Sequence, residues 1–72
     1  MKKTTLSFFI KQKRKEYGLT QIDLSEKSGV GLRFVRELEQ GKPSLRIDKV
    51  NQVLNLFGAE VGPVQMIKND EE

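Results

Sequence analysis

At 72 residues and 8.3 kDa the chain has room for one small domain and none for an elaborate multidomain enzyme. Thirteen Lys and Arg against ten Asp and Glu give a net charge of +3 and an isoelectric point near 9.4, with no His, Cys or Trp. No side chain therefore titrates near neutrality at its ordinary pKa, and zinc sites, disulfides and thiol nucleophiles are excluded, so binding rather than catalysis is expected, with no cofactor or metal. A hydrophobic content of 36% is low for a globular domain, and so thin a core makes oligomerisation an early expectation. The apolar run over residues 6–10 is interrupted by Ser7 and ends at Lys11, too short for a signal sequence or a membrane span; a cytoplasmic protein without a membrane partner is expected.

The first predicted helix covers residues 6–17, with Thr5 or Ser7 as N-cap and Gly18 as its left-handed stop. Leu6, Phe9, Ile10 and Tyr17 fall near one face, and Lys11, Lys13 and Lys15 make the outer surface basic. Phe8 lies off the apolar stripe. Thr20-Gln21-Ile22-Asp23 resembles a capping box and opens a short second helix that ends at Gly29. Val30 turns toward the core, and a third helix follows over residues 32–40, with Val35 and Leu38 inward and Gly41 as its stop. Lys42-Pro43-Ser44 is a turn, Ser44 the expected N-cap of a fourth helix reaching Phe57, whose buried face is Val50, Val53, Leu54 and Phe57. Residues 59–67 read as an extended segment or short edge strand interrupted by Gly62 and Pro63, and residues 68–72 as a frayed acidic tail.

Residues 21–40 have the spacing of a helix-turn-helix: two short helices around a glycine turn, Leu24, Val35 and Leu38 between them, and Ser25 small where they cross. Through Tyr17-Gly18-Leu19-Thr20-Gln21, Leu24-Ser25-Glu26-Lys27-Ser28-Gly29-Val30 and Leu38-Glu39-Gln40-Gly41-Lys42-Pro43, the chain resembles the Xre/Cro/cI-type helix-turn-helix DNA-binding proteins over about residues 6–58. The run over residues 31–41 followed by Asp48-Lys49-Val50-Asn51-Gln52-Val53-Leu54 is most similar to the HipB-like antitoxins of bacterial toxin-antitoxin modules. The implied fold is mainly α, a compact four-helix lambda-repressor-like domain over residues 1–58 with a short C-terminal strand over 59–67.

The third helix would then lie in the major groove, with Leu32, Arg33, Arg36 and Glu37 toward base edges. Arg33 suits guanine O6 and N7, Glu37 a cytosine amine and Leu32 a thymine methyl, each good pair contributing about 1–3 kcal/mol of discrimination. On an isolated helix the same charges read as a solvated face with weak i,i+4 pairing. Backbone contacts are expected from Thr20 and Gln21 at the start of the second helix, and from Gln40, Lys42, Ser44 and Arg46 around the following turn. Ser44 reads equally well as a helix cap alone. The resemblance implies a buried salt bridge between Arg14 and Glu39. Gly31 stands where such proteins often carry Ser or Thr, and Phe34 where a small polar residue is common; Phe34 packs inward or rests against the sugar-phosphate edge.

Without Asp70, Glu71 and Glu72 the body carries thirteen basic against seven acidic side chains, a net +6, which suits phosphate binding with a steep salt dependence. One such domain reads half a site, so a homodimer on an inverted-repeat duplex is expected, with Val61, Val64 and Met66 at the interface. The expected protein is thus a DNA-binding repressor and antitoxin that controls its own operon and binds a HipA-like kinase toxin. A stand-alone phage- or plasmid-type repressor and a protein-interaction module of the same fold are the alternatives.

Overall fold

The computed structural model describes residues 5–63. Four helices, α1 (Thr5–Glu16), α2 (Gln21–Ser28), α3 (Leu32–Gln40) and α4 (Ile47–Leu54), are followed by a single 3-10 turn, Asn55–Phe57. The third helix occupies the span predicted from sequence. No strand occurs among the described residues.

Each helix is short, so packing of one face rather than intrinsic propensity holds it. Eight aliphatic side chains form the buried core: Ile10 from α1, Leu24 from α2, Val30 from the turn, Val35 and Leu38 from α3, and Val50, Val53 and Leu54 from α4. Full burial of one such side chain contributes roughly 1.5–3 kcal/mol. Leu6, Phe9, Phe34, Leu45, Phe57 and Ala59 pack around this centre half-buried. Phe34 thus belongs to the packing, whereas Phe8 is 66% exposed.

Several details differ from the sequence expectation. Ser7 does not cap α1; it is the third residue of the helix and fully buried. Tyr17 lies beyond the end of α1 and is largely exposed, its ring edge-on to Phe57 at 5.0 Å. There Leu19 N–H donates to Arg14 O and Gly18 N–H to Lys15 O, both at 3.0 Å, the paired bonds of a Schellman motif. Ser44 does not cap α4 either: the helix starts three residues later, after Arg46, and no side chain caps it. The stretch between Gly41 and α4 is longer than the Pro-Ser signal suggests because Leu45 first turns inward against the core.

Residues 59–63 continue without regular structure, and Val61 N–H donates to Asn51 Oδ1 at 2.7 Å, tying this segment to α4. Val64, Met66 and the rest of the expected strand and tail lie outside the described residues.

Candidate nucleic-acid interface

The second helix is fixed at both ends. Asp23 N–H donates to Thr20 Oγ1 at 3.0 Å and Thr20 N–H to Asp23 Oδ2 at 2.9 Å, completing the capping box. The Thr20 amide first, and then its hydroxyl, hold the Asp23 carboxyl below its ordinary value of 3.8. At the other end Gly29 adopts φ 83°, the left-handed conformation that turns the chain into α3. Ser25 Oγ donates to Val30 O at 2.6 Å across this turn, and Gln52 Nε2 on α4 donates to Ser28 O at 2.9 Å. The turn between α2 and α3 is therefore braced by side chains from α2 and α4.

Beneath these helices Arg14 Nε and Nη2 donate to Glu39 Oε2 and Oε1 at 2.6 and 3.1 Å, while Arg14 Nη1 donates to Leu19 O at 2.9 Å. The side chains are 12% and 4% exposed. Gln21 Nε2 adds a third donor to the Glu39 carboxylate, at 3.1 Å. The Gln21 side chain thus reaches inward, where the sequence suggests an outward phosphate contact; the buried carboxylate draws the amide to it. Two backbone N–H groups of the first turn of α2, those of Gln21 and Ile22, have no partner among the described residues, as is usual at a helix start.

The third helix divides by face. Val35, Leu38 and Glu39 are buried. Arg33, Arg36 and Gln40 are exposed at i, i+3 and i+7, with Glu37 half-buried beside them. Leu32 is half-buried at the start of the helix, which has Gly31 as its N-cap and no side-chain cap bond. Arg36 meets Arg14, Thr20, Gln21 and Ile22 around one open depression of about 400 Å³. The structure thus brings the start of α2 and the exposed face of α3 together.

Arg33 Nε and Lys42 Nζ both lie 3.4 Å from Glu37 Oε2. The Arg33–Glu37 contact follows ordinary i,i+4 spacing. Lys42 is brought there by a second Schellman turn, its N–H donating to Glu37 O at 3.1 Å and that of Gly41 to Leu38 O at 3.2 Å. Sequence reading missed the Lys42–Glu37 pair, although Gly41 as a left-handed stop was its signal. Ser44 and Arg46 are exposed in the following loop, apart from this cluster, and Arg46 forks onto Asp48 at 2.6 and 3.1 Å. That guanidinium holds the Asp48 carboxyl below its usual value. Among the described residues no group of acidic side chains is arranged to hold a metal ion, and no helix is long and apolar enough to cross a membrane.

A family model described as helix-turn-helix matches residues 10–62, more than half of the chain. The chain is also 50% identical over 48 residues to an uncharacterized HTH-type transcriptional regulator, y4mF, of Sinorhizobium fredii. That alignment covers 67% of this chain and 63% of the relative, so the matched part spans less than two thirds of the relative's length.

Proposed function

Since the chain belongs to the helix-turn-helix family, we propose that it is a sequence-specific regulator of transcription that binds double-stranded DNA with α3 in the major groove. The observation that carries this reading is the exposed row Arg33, Arg36 and Gln40 on a helix whose opposite face is buried, set beside the free amides at the start of α2. In this reading Leu32, Arg33, Arg36 and Glu37 face base edges. Thr20, Gln40, Ser44, Arg46 and the amides of Gln21 and Ile22 hold phosphates. Thr20 stands exposed at the start of α2, its oxygen accepting from Asp23 N–H within the capping box.

The functional form is a homodimer on an inverted repeat. Support comes from the apolar groove of about 420 Å³ between α1 and the segment after the 3-10 turn, lined by Leu6, Phe9, Leu54, Ala59 and Val61. Ile47 and Val61 are exposed nearby, and burying them against a second copy would remove them from water. Loss of residues 59–72 with no loss of dimer stability would rule this interface out.

The antitoxin role rests on the sequence resemblance to HipB-like proteins. There the chain represses its own operon and is bound by a kinase toxin. Co-expression with the neighbouring reading frame separates this from a solitary repressor: an antitoxin co-purifies with the product, a solitary repressor does not.

The central test is a gel shift against random duplex pools at two salt concentrations. A DNA reader selects an inverted repeat, and Arg33→Ala alters the selection. No selected site, together with Arg33→Ala behaving as wild type, would falsify DNA reading in favour of a protein-interaction module.

A further inference from the structure

Glu37 is the only acid on the exposed side of α3, and its two oxygens are not equivalent. Arg33 and Lys42 make their nearest approaches to Oε2, while no hydrogen bond reaches Oε1 among the described residues. Glu37 is only 27% exposed and Arg33 is 92% exposed, so the carboxylate is the fixed member of the cluster. Lys42 is tied to the same residue twice, by its backbone N–H to Glu37 O and by its ammonium group to Oε2.

A carboxylate oxygen between two cations offers them what a DNA phosphate would. To reach a phosphate, Lys42 must turn from Glu37 and bare that carboxylate to the polyanion, and Arg33 must either do the same or reach with its terminal nitrogens while the carboxylate beside them opposes the phosphate. Backbone-only binding draws its affinity from cations placed on phosphates, and here two of them are already engaged. A base edge presents a different case. Cytosine N4 and adenine N6 are hydrogen donors in the major groove, whereas guanine O6 and N7 and thymine O4 are acceptors. A donor can take Oε1 without disturbing the pairs on Oε2, and an acceptor there opposes the negative charge. The terminal nitrogens of Arg33 remain available to a neighbouring base, because its contact with Glu37 uses Nε.

We propose that Glu37 is the specificity-determining residue of this surface: it withholds Arg33 and Lys42 from plain phosphate and admits a base pair that presents an exocyclic amine to Oε1. Lys42 is its positioning residue rather than a phosphate contact. The inference rests on the DNA-reading proposal above.

The test uses the full chain as wild type, Glu37→Gln and Lys42→Ala. Each is titrated with a random-sequence duplex and with the duplex that wild type selects, at about 50 and about 200 mM salt. Glu37→Gln is expected to bind random duplex about tenfold more tightly at low salt, with a salt slope steeper by about 1–2 as one or two cations become free. Its affinity for the selected duplex does not rise, so selectivity falls about tenfold or more. Lys42→Ala leaves the slope on random duplex unchanged. Melting curves of both variants stay close to wild type, because both pairs are long, at 3.4 Å, and their cations are exposed, so they contribute little to stability. Equal tightening of Glu37→Gln on both duplexes, or a slope reduced by about 0.9 in Lys42→Ala, overturns the inference while DNA reading stands. If wild type selects no duplex, DNA reading itself fails and this role with it.

Discussion

Arg14 and Glu39, 25 residues apart in the chain, meet in a two-bond fork that joins α1 to the last turn of α3, and Gln21 brings α2 to the same carboxylate. Three helices share one ionised group at 4% exposure. Such a pair adds little relative to a well-packed apolar substitute, but removing one partner strands the other charge at a cost of about 3–5 kcal/mol. Glu39→Gln is therefore expected to lower the melting temperature by more than about 10 °C, at roughly 4–8 °C per kcal/mol for a domain this small. DNA affinity falls with it. Thermal denaturation followed by circular dichroism checks the first part, and an unchanged midpoint counts against the structural role.

Gly29→Ala meets two obstacles. The residue sits at φ 83°, where a Cβ costs about 1–2 kcal/mol, and that Cβ would lie 3.1 Å from Gln52 Nε2, the amide that donates to Ser28 O. A double-mutant cycle with Gln52→Ala separates them. The penalty of Gly29→Ala should be smaller when Gln52 is already shortened; an undiminished penalty assigns the whole effect to backbone strain.

Acid stability carries a signature of the capping box. The Asp23 carboxyl is depressed in the folded chain, so its contribution is fully present above the ordinary value of 3.8 and is lost as pH falls through the lower folded value. The same sign applies to Asp48 beside Arg46. Melting midpoints at pH 7 and pH 3 should differ less for Asp23→Asn than for wild type. Equal differences would show that the box does not couple folding to protonation.

How much of this was legible beforehand depended on whether the signal was local. The capping box at Thr20, the stops at Gly29 and Gly41, and the span of α3 are written in adjacent residues. Ser44 misled because a Ser after Pro looks like a cap, yet the inward turn of Leu45 delays α4 until Ile47. The inward bond of Gln21 was not legible because it depends on a carboxylate 18 positions away. Lys42 on Glu37 requires knowing that the Schellman turn folds the chain back on itself. Each of these depends on geometry that pattern and propensity do not encode.

Two arginines should behave differently on DNA. Arg33→Ala is expected to relax preference at one base position, by about 1–3 kcal/mol of discrimination. Arg46→Ala should weaken all duplexes alike through loss of the Nη1 hydrogens that its fork onto Asp48 leaves over, and reduce the salt slope by less than about 0.9, because Asp48 already opposes that charge. Selection from randomised duplexes followed by salt titration distinguishes them, and identical behaviour would place both arginines on phosphate.

Val61→Asp tests the apolar groove with little disturbance of the fold, because only the backbone N–H of Val61 is held by Asn51. Sedimentation should show a shift from dimer toward monomer, with far-ultraviolet circular dichroism unchanged. A variant that sediments as wild type does would move the interface elsewhere.

The short third helix also sets a limit on information. Nine residues between Gly31 and Gly41 make a rod of about 13.5 Å, which, laid in a major groove as proposed, would run alongside roughly four base pairs at 3.4 Å each. Four base pairs hold about eight bits, so such a word recurs by chance roughly every 250 base pairs, far too often to mark one promoter among a genome's competing sites. A second identical helix at a fixed spacing doubles the message to about sixteen bits and thins chance matches to roughly one in 65,000. On the proposed reading, the glycines that end this helix so early would leave a single copy an incomplete reader.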